Sequence, residues 1–400
     1  MQNIKLYFFI WILIIFYEKL FLTFYTKILF FSHFVLSYFY IVFNYFANNN
    51  LPLFWDMQSF LQLINCNNDY SYEFKFLNTT KTVTCIEDMG FGPLSFLLSA
   101  NLDTVQITIT FSILYFLFIT YVLYKKFGSE DFVRVSLLFL SPSFLFLFES
   151  LNPDIFILLF FIYIFLIRNQ MDNINILHLL LLTLFTQLKI YTLAILVGIL
   201  IYKYLEGKNF KDVSFVIFIN IILLTYHYFV LDKVTPHPSS INRTFGLLSD
   251  FYIFKNSFGI NYYVLFLTFS LFFIFINRND IDYFKNLENK EYSNFVILVY
   301  IPMIILILIF ANYGYKFVLV ILFFTILPFD LSIKSKLILY FSFISTPLLY
   351  LFGYDYAESL LNLVFFALNR LSHHYILFIC TSMFINLIIS NLKLYRDDVI

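Results

Sequence analysis

The chain has 400 residues, of which 61% are hydrophobic and 12% are charged, and its 25 basic residues balance its 25 acidic residues. Soluble domains average about 45–50% apolar and about 25% charged residues, so this composition excludes an ordinary soluble protein. It predicts an all-α integral membrane protein with several crossings. The balanced charge provides no basic field to attract nucleic acid, and no nucleic-acid partner is expected.

Apolar segments of membrane-spanning length recur along the chain. A bilayer core about 30 Å thick requires about 20 apolar residues per helix. The uncharged runs predict spans at 28–47, 104–124, 132–149, 151–167, 212–231, 260–277, 293–311, 317–329, 337–352 and 374–391. With the stretch 174–204 they predict one membrane domain over 1–400, containing about 11 to 13 transmembrane helices. Residues 1–27 form either an interfacial helix or an additional transmembrane helix, because Glu18 and Lys19 divide them.

Lysine and arginine recur in every second loop, and cytoplasmic loops retain such residues. The basic loops are marked by Lys125, Arg168, Lys203, Arg278, Lys334 and Lys393. The segments between them are therefore expected to face the periplasm or a lumen: 48–103, 150–154, 232–259, 312–316 and 353–373. The expected location is a bacterial inner membrane, or the membrane of the endoplasmic reticulum if the source is eukaryotic.

The longest outward segment, 48–103, is predicted to carry the active site, since long ordered loops are usually functional. Trp55 and Asp56 lie near its start, close to the end of the predicted span 28–47. Partial desolvation there raises the pKa of a carboxyl group, which suits Asp56 to act as a general base. The alternative is a solvated Asp56 beside an interfacial tryptophan. Cys66 and Cys85 form either a disulfide, in an oxidising compartment, or two free thiols.

A second outward feature is the turn that contains Asn152 and Asp154. The sequence predicts that Asp154 begins the following helix, where the helix dipole favours a carboxylate. The alternative to this purely structural role is that Asp154 and Asp56 converge on one outward cavity.

The apolar stretch 174–204 is interrupted at its centre by Lys189. We expect two short helices of about 15 residues that meet there, each roughly 22 Å long and too short to span a bilayer alone. A cation at membrane depth usually marks function, and the alternative is a lysine that snorkels to the headgroups. Gln187 and Tyr191 are predicted to complete a polar cluster.

Two further cations are predicted on the outward face. Arg243 lies in the segment 232–259, and Lys316 lies at the start of a helix. His373 and His374 are adjacent, so they point to different sides of a helix and lack the i, i+4 spacing of a helical zinc pair. No metal site is predicted.

The order of these features resembles the GT-C membrane glycosyltransferases. The resemblance rests on Asp56, Gly92-Pro93-Leu94, Asn152-Pro153-Asp154, Leu188-Lys189-Ile190-Tyr191 and Asn312-Tyr313-Gly314-Tyr315-Lys316. The chain looks like the bacterial mannosyltransferase-like group, which uses polyprenyl-phosphate sugars, and the GPI mannosyltransferase I family has a similar Leu-Lys-Ile-Tyr-type segment. Relatives commonly carry Asp-Tyr-Arg where this sequence has Gly314-Tyr315-Lys316, and lysine cannot form the bidentate contact of arginine.

The resemblance implies an inverting enzyme that transfers a sugar from a polyprenyl-phosphate donor to a glycan or lipid acceptor on the outer face. It assigns the general base to Asp56. Asp154, if it converges with Asp56 on one cavity, is the second candidate catalytic carboxylate. Lys189, Arg243 and Lys316 are suitably placed to stabilise the phosphate leaving group, beside Tyr191. No cofactor is certain, and the need for a divalent metal stays open. Membrane lipids are the remaining expected partners.

Two other functions stay open at this point. A transporter or lipid-linked-oligosaccharide flippase would line its path with charges inside several helices and would show an inverted repeat. An O-antigen ligase or polymerase would carry several arginines on a large late outward loop. Nearly all the charge in this chain lies in loops and one outward loop is enlarged, which favours the glycosyltransferase.

Overall fold

The computed structural model describes residues 71–76, 79–84, 104–126, 131–139, 154–168, 174–230, 244–258, 290–310, 312–313, 316–327, 333–351 and 360–397, with isolated positions between 28 and 38, between 141 and 152, and at 268. This part of the chain is predominantly helical, as the composition predicts. The N-terminal segment 1–27 and most of the predicted span 260–277 lie outside it. So do Asp56, Arg243, Cys66 and Cys85.

The elements follow one another in a simple order. The helices are α1 (Thr104–Lys126), α2 (Asp131–Phe139), α3 (Asp154–Phe161), α4 (Ile176–Leu188), α5 (Leu193–Leu205), α6 (Lys211–Val230), α7 (Leu247–Phe258), α8 (Lys290–Ile309), α9 (Phe317–Ile326), α10 (Ile333–Leu351) and α11 (Leu360–Asp397). A π-helix, Ile162–Arg168, continues α3, and a 3₁₀ turn, Ile190–Thr192, precedes α5. The strands are β1 (Ser71–Phe76), β2 (Thr79–Thr84), β3 (Thr244–Phe245) and β4 (Asn312–Tyr313).

The strands form two antiparallel pairs that the helical interpretation of the sequence does not include. Strands β1 and β2 make a hairpin within the predicted outward loop, and β-branched residues dominate β2, as is usual for strands. Strands β3 and β4 pair across a long sequence separation, with Thr244 opposite Tyr313 and Phe245 opposite Asn312. This second pair joins the segment before α7 to the segment before α9.

The predicted break at Lys189 is confirmed. Helix α4 ends at Leu188, and the Lys189 backbone is extended, with φ −147° and ψ 112°. The other end of α4 is also well defined, because the Asn175 side chain accepts the His178 N–H and the His178 ring accepts the Asn175 N–H. Such reciprocal capping satisfies two backbone donors that lack a helical partner. The two short helices are therefore separate elements with a fixed junction.

Two predicted spans have different bounds in the structure. The continuous span 132–149 is wrong, because α2 ends at Phe139 and Ser141 occupies a bend. The Ser141 hydroxyl donates to the Leu138 carbonyl oxygen at 2.7 Å and accepts the Phe144 N–H at 3.2 Å, which ends one helical segment and starts another. The span 374–391 belongs to the longer helix α11.

Helices α5 and α8 pack closely at Gly198. A side-chain carbon at this position would overlap the backbone of Leu298 and Val299. Pro302 lies inside α8 and has no N–H to donate to the Leu298 carbonyl group, which removes one helical hydrogen bond. The glycine thus lets α5 approach the stretch of α8 where the helical ladder is interrupted.

We expect Gly198→Ala to destabilise the protein, because the added methyl group meets backbone that cannot rotate away. Overpacking of this kind costs about 1–3 kcal/mol. Thermal unfolding in detergent measures the effect. Val197→Ala changes an exposed side chain on the same helix and serves as the control. An unchanged Tm for the Gly198 variant would contradict the close approach.

The aromatic core around Tyr300 connects three helices. The Tyr300 hydroxyl donates to the Leu319 carbonyl oxygen of α9 at 2.9 Å. Its ring centroid lies 5.2 Å from that of Phe161 in α3 and 5.7 Å from that of Phe323 in α9. This packing fixes α3 and α9 against α8, and therefore relates the start of α3 to the start of α9.

Two helices within the described residues are long and apolar enough to cross a membrane. They comprise Ile109–Lys126 of α1 and Leu363–Ser390 of α11. Shorter apolar helices are Asp154–Leu166, Ile176–Gln187, Leu193–Leu205, Ser293–Ile309 and Phe317–Ile326. By length and composition, two apolar helices are a weak indication of membrane association.

Candidate functional site

Asp154 begins α3, as the sequence predicts, and the preceding turn holds it in place. Its N–H donates to Oδ1 of Asn152 at 3.0 Å, and the N–H of Ile155 donates to the Asn152 carbonyl oxygen at 2.8 Å. These bonds satisfy backbone donors of the first helical turn. Asp154 is only 1% exposed, so its carboxylate lies inside the protein rather than on an open turn.

Tyr191 contacts this carboxylate directly. The hydroxyl of Tyr191, on the 3₁₀ turn after Lys189, donates to Oδ1 of Asp154 at 2.6 Å. The other oxygen, Oδ2, accepts no hydrogen bond from the residues that the structure describes. One oxygen of the carboxylate is thus fixed by the Tyr191 hydroxyl, and the other is placed to accept a hydrogen bond or face a cation.

Lys316 completes the arrangement from the N-terminus of α9. Its Nζ lies 5.3 Å from the centroid of the Tyr191 ring, within the range of a cation–π contact. Asp154 and Lys189 both act electrostatically on Lys316. The structure therefore gathers four of the residues selected from the sequence, and we call Asp154, Lys189, Tyr191 and Lys316 the lysine–aspartate cluster.

The protonation of Lys316 is sensitive to this environment. Burial lowers the pKa of Lys316 to about 8, and the positive charge of Lys189 lowers it further, whereas the negative charge of Asp154 raises it. The ammonium form of Lys316 therefore depends on Asp154. Lys316 is charged below about pH 8 and becomes neutral above it.

The backbone at Lys189 is tied to the following turn. The Lys189 carbonyl oxygen accepts both the N–H of Thr192, at 3.1 Å, and its hydroxyl, at 2.8 Å. The Thr192 hydroxyl also contacts the Thr186 hydroxyl at 3.2 Å. These bonds stabilise the break between α4 and α5. The Lys189 side chain is half-buried at this break, two residues before Tyr191.

Gln187 does not complete the cluster, which corrects the prediction for this residue. Its Nε2 donates to Oδ1 of Asn220 on α6 at 2.9 Å, and Asn220 donates to the Thr183 hydroxyl at 3.1 Å. The two amide side chains and Thr183 are buried and join α4 to α6. Gln187 thus belongs to a structural polar contact between helices.

An apolar groove opens between α1 and α3, and its lining begins one residue after Asp154. Its volume is about 390 Å³. The lining comprises Phe111, Leu114, Tyr115, Phe118, Ile155, Phe156, Leu159, Phe160 and Tyr163. Leu114 and Tyr163 are partly exposed, so the groove reaches the surface of the described helices. Such a lining suits an apolar ligand.

Comparisons with protein-family models, with curated proteins and with solved structures find no match.

Asp56 and Arg243, the other two predicted site residues, lie outside the described residues. Among the described residues, no group of three or more His, Cys, Asp or Glu side chains is placed to hold a metal.

A second charged group was missed by the sequence interpretation. Asp250 on α7 pairs with Arg370 and His374 on α11, and all three side chains are buried. Arg370 and the histidines stand out as polar residues in an apolar helix, but Asp250 carries no local signal. Its pairing depends on contacts between helices that are far apart in sequence.

Proposed function

We propose that the chain is a multi-pass membrane glycosyltransferase of the GT-C type. It transfers a sugar from a polyprenyl-phosphate donor to a glycan or lipid acceptor on the periplasmic or lumenal face. The observation that carries this proposal is the lysine–aspartate cluster, in which two lysines from distant parts of the chain lie with a buried carboxylate and a tyrosine. Such a group of cations suits a phosphate leaving group.

The helix surfaces support the membrane part of the proposal. Tyr124 on α1 is 74% exposed, and Phe215 and Phe218 on α6 are 63% and 60% exposed. Large exposed apolar side chains of this kind are unfavourable in water and are normal where helices face lipid. Of the two short helices flanking Lys189, α5 is mostly buried, whereas α4 exposes Ile176, Leu177, Leu180 and Leu184. Non-helical backbone at membrane depth is tolerated where protein covers it.

The reaction forms one bond and breaks one bond at the anomeric carbon. The oxygen of the acceptor hydroxyl attacks that carbon while its bond to the phosphate oxygen breaks, and the electron pair leaves with the polyprenyl phosphate. Asp56 takes the proton of the hydroxyl group. Lys189 and Lys316 stabilise the negative charge that develops on the phosphate, and Arg243 is the third cation assigned to this task.

Asp154 and Tyr191 have a supporting part in this mechanism. The carboxylate of Asp154 favours the charged form of Lys316, and its hydrogen bond to Tyr191 holds the ring against which Lys316 packs. A charged lysine binds phosphate, whereas a neutral amine does not neutralise it. Asp154 therefore acts on the donor through Lys316.

The apolar groove supports a lipid-linked donor rather than a soluble sugar nucleotide. Ile155 lines the groove and follows Asp154 directly, so a hydrocarbon chain in the groove and a phosphate at the cluster lie on neighbouring parts of α3. The second candidate function is a transporter or lipid-linked-oligosaccharide flippase. The broken helix pair at Lys189 favours it, because transporters build binding sites from interrupted helices.

Lys189→Gln is expected to lower the affinity for a labelled polyprenyl-phosphate sugar by about 10- to 100-fold, since a hydrogen bond to a charged group contributes about 1.5–3 kcal/mol. Lys189→Arg should stay partly active, because it keeps the charge but changes the geometry. Transfer and donor titration in membranes provide the measurement. Lys211→Gln, an exposed lysine, is the control.

Unchanged donor affinity in Lys189→Gln would make Lys189 a structural anchor. Transbilayer movement of the labelled lipid without sugar transfer would instead support the flippase.

Donor affinity is also expected to fall as the pH rises through about 8, because Lys316 loses its proton there. The charge is fully present below this pH and absent well above it. Lys316→Arg should remove the pH dependence, since arginine stays charged. Donor titration between pH 6 and pH 10 compares the two proteins, and an identical alkaline loss in both would exclude Lys316 as its cause.

A further inference from the structure

The long helix α11 carries a second buried polar group, separate from the lysine–aspartate cluster. Arg370, His373 and His374 are 4%, 2% and 6% exposed. Nε of Arg370 lies 3.2 Å from Oδ1 of Asp250, and Nε2 of His374 lies 3.5 Å from Oδ2 of Asp250. The guanidinium group also lies over the Phe366 ring, 4.6 Å from its centroid. Asp250 is therefore held from one face of α11.

The charge on Asp250 depends on this contact. Burial raises the pKa of Asp250 to about 6, and the positive charge of Arg370 opposes the rise. Breaking a buried ion pair by removing one partner is strongly unfavourable, because the remaining charge stays desolvated. Asp250 and Arg370 thus fix α7 and α11 relative to each other.

From Asp250 the chain leads back to Lys316 through backbone contacts. The N–H of Asp250 donates to the Gly246 carbonyl oxygen at 3.0 Å. Gly246 has φ +115°, and a side chain there would overlap the Phe310 carbonyl group. Gly246 directly follows β3, which pairs with β4, and Lys316 comes three residues after β4 ends at Tyr313. Position 246 therefore requires glycine, because its backbone conformation and its contact with Phe310 leave no room for a side chain.

The other side of Lys316 is also held by α11. The His373 ring lies 5.1 Å from the ring of Phe317, the residue after Lys316. His373 Nε2 lies 2.6 Å from the Thr346 hydroxyl of α10, and Asn369 Nδ2 donates to Ser345 and Thr346. The backbone on both sides of Lys316 is thus connected to one helical turn of α11.

We infer that Asp250 and Arg370 are positioning residues, which hold the β3–β4 pair so that Lys316 faces Asp154 and Tyr191. This inference rests on the proposed function only for the role of Lys316 as a phosphate ligand. Loss of the ion pair should release the β3–β4 pair and expose the partly buried Lys316 more fully to water. Because burial is the main cause of its low pKa, Lys316 should then titrate closer to the ordinary lysine value of 10.5.

The test measures acylation of Lys316 by a small amine-reactive reagent in the full-length protein, with no donor present. Mass spectrometry of the Lys316 peptide from pH 6 to pH 11 gives the titration midpoint. We expect a midpoint near 8 in the unmodified protein, and a midpoint higher by about one pH unit or more in Asp250→Asn and in Arg370→Gln. Lys255→Gln, an exposed charge on α7, should leave the midpoint unchanged.

Asp250→Glu keeps the charge and should restore most of the native midpoint. If Asp250→Asn does not fold, Arg370→Lys replaces it as the test, because it keeps the charge while losing the guanidinium geometry. A raised midpoint in this variant supports the inference. A native midpoint in the folded variants would overturn the inference. A raised midpoint with unchanged donor affinity would uphold the positioning role and instead contradict the role of Lys316 in the proposed function.

Discussion

Asp154→Asn should weaken donor binding near neutral pH and move its alkaline loss to lower pH. The carboxylate raises the pKa of Lys316, whereas burial and Lys189 lower it. Without the negative charge, the two lowering effects act unopposed, and Lys316 loses its proton at a lower pH. When the pKa of a lysine falls by one pH unit, its charged form loses about 1.4 kcal/mol relative to its neutral form, which is a tenfold change in their ratio. At pH 8 a fall of one pH unit in this pKa lowers the charged fraction of Lys316 from about one half to about one eleventh, so we expect about fivefold weaker donor binding.

Donor titration from pH 5.5 to pH 9 separates this effect from a general loss of structure. At the acid end Lys316 regains its proton, so the deficit of the Asp154 variant should shrink. Asp212→Asn is the matched control, because Asp212 lies in the first turn of α6 and is exposed. Both substitutions remove a carboxylate that interacts favourably with the dipole at a helix N-terminus. An equal deficit at every pH would show that Asp154 has only a structural role.

Asp56→Asn should lower kcat by about 10²- to 10⁴-fold with little effect on donor affinity, because a general base acts on the acceptor hydroxyl. The amide keeps the size of the side chain and part of its hydrogen bonding but cannot take the proton. This outcome differs from that expected of the Asp154 variant, which should weaken donor binding through Lys316. A transfer assay with labelled polyprenyl-phosphate sugar measures both parameters.

Asp88→Asn provides the comparison for Asp56, since Asp88 belongs to the same predicted outward loop. It should retain native transfer. The Asp56 variant must also insert into the membrane and unfold at the native Tm, so that a lost rate reflects chemistry. Native kcat in the Asp56 variant would remove this residue from the mechanism.

Local signals were enough to predict several features of the described structure. Asp154 begins a helix because the Asn152 side chain accepts its N–H, and the preference of asparagine for such turns can be recognised from the local sequence. The break at Lys189 was predicted from a charge between two apolar stretches, and the side chain lies where those helices end. Lys316 was likewise placed at the start of α9. Each of these predictions depends on residues within a few positions of one another.

Features that depend on distant residues could not be predicted in this way. The pairing of β3 with β4 joins short strands from separate regions, and neither strand has enough residues to show an alternating pattern. The ion pair between Asp250 and Arg370 depends on how α7 packs against α11. Gln187 was assigned to the wrong neighbours because the position of Asn220 on α6 decides its hydrogen bond.

The aromatic packing at Tyr300 has a consequence for the stability of the protein. It fixes α3 and α9 against α8 through apolar contacts, and Lys316, at the start of α9, lies close enough to Lys189 for the two positive charges to repel each other. A phosphate that binds between them relieves this repulsion, and a ligand that binds only the folded state stabilises it by mass action. Under the proposed function, bound lipid-linked donor would therefore protect the protein against unfolding and proteolysis.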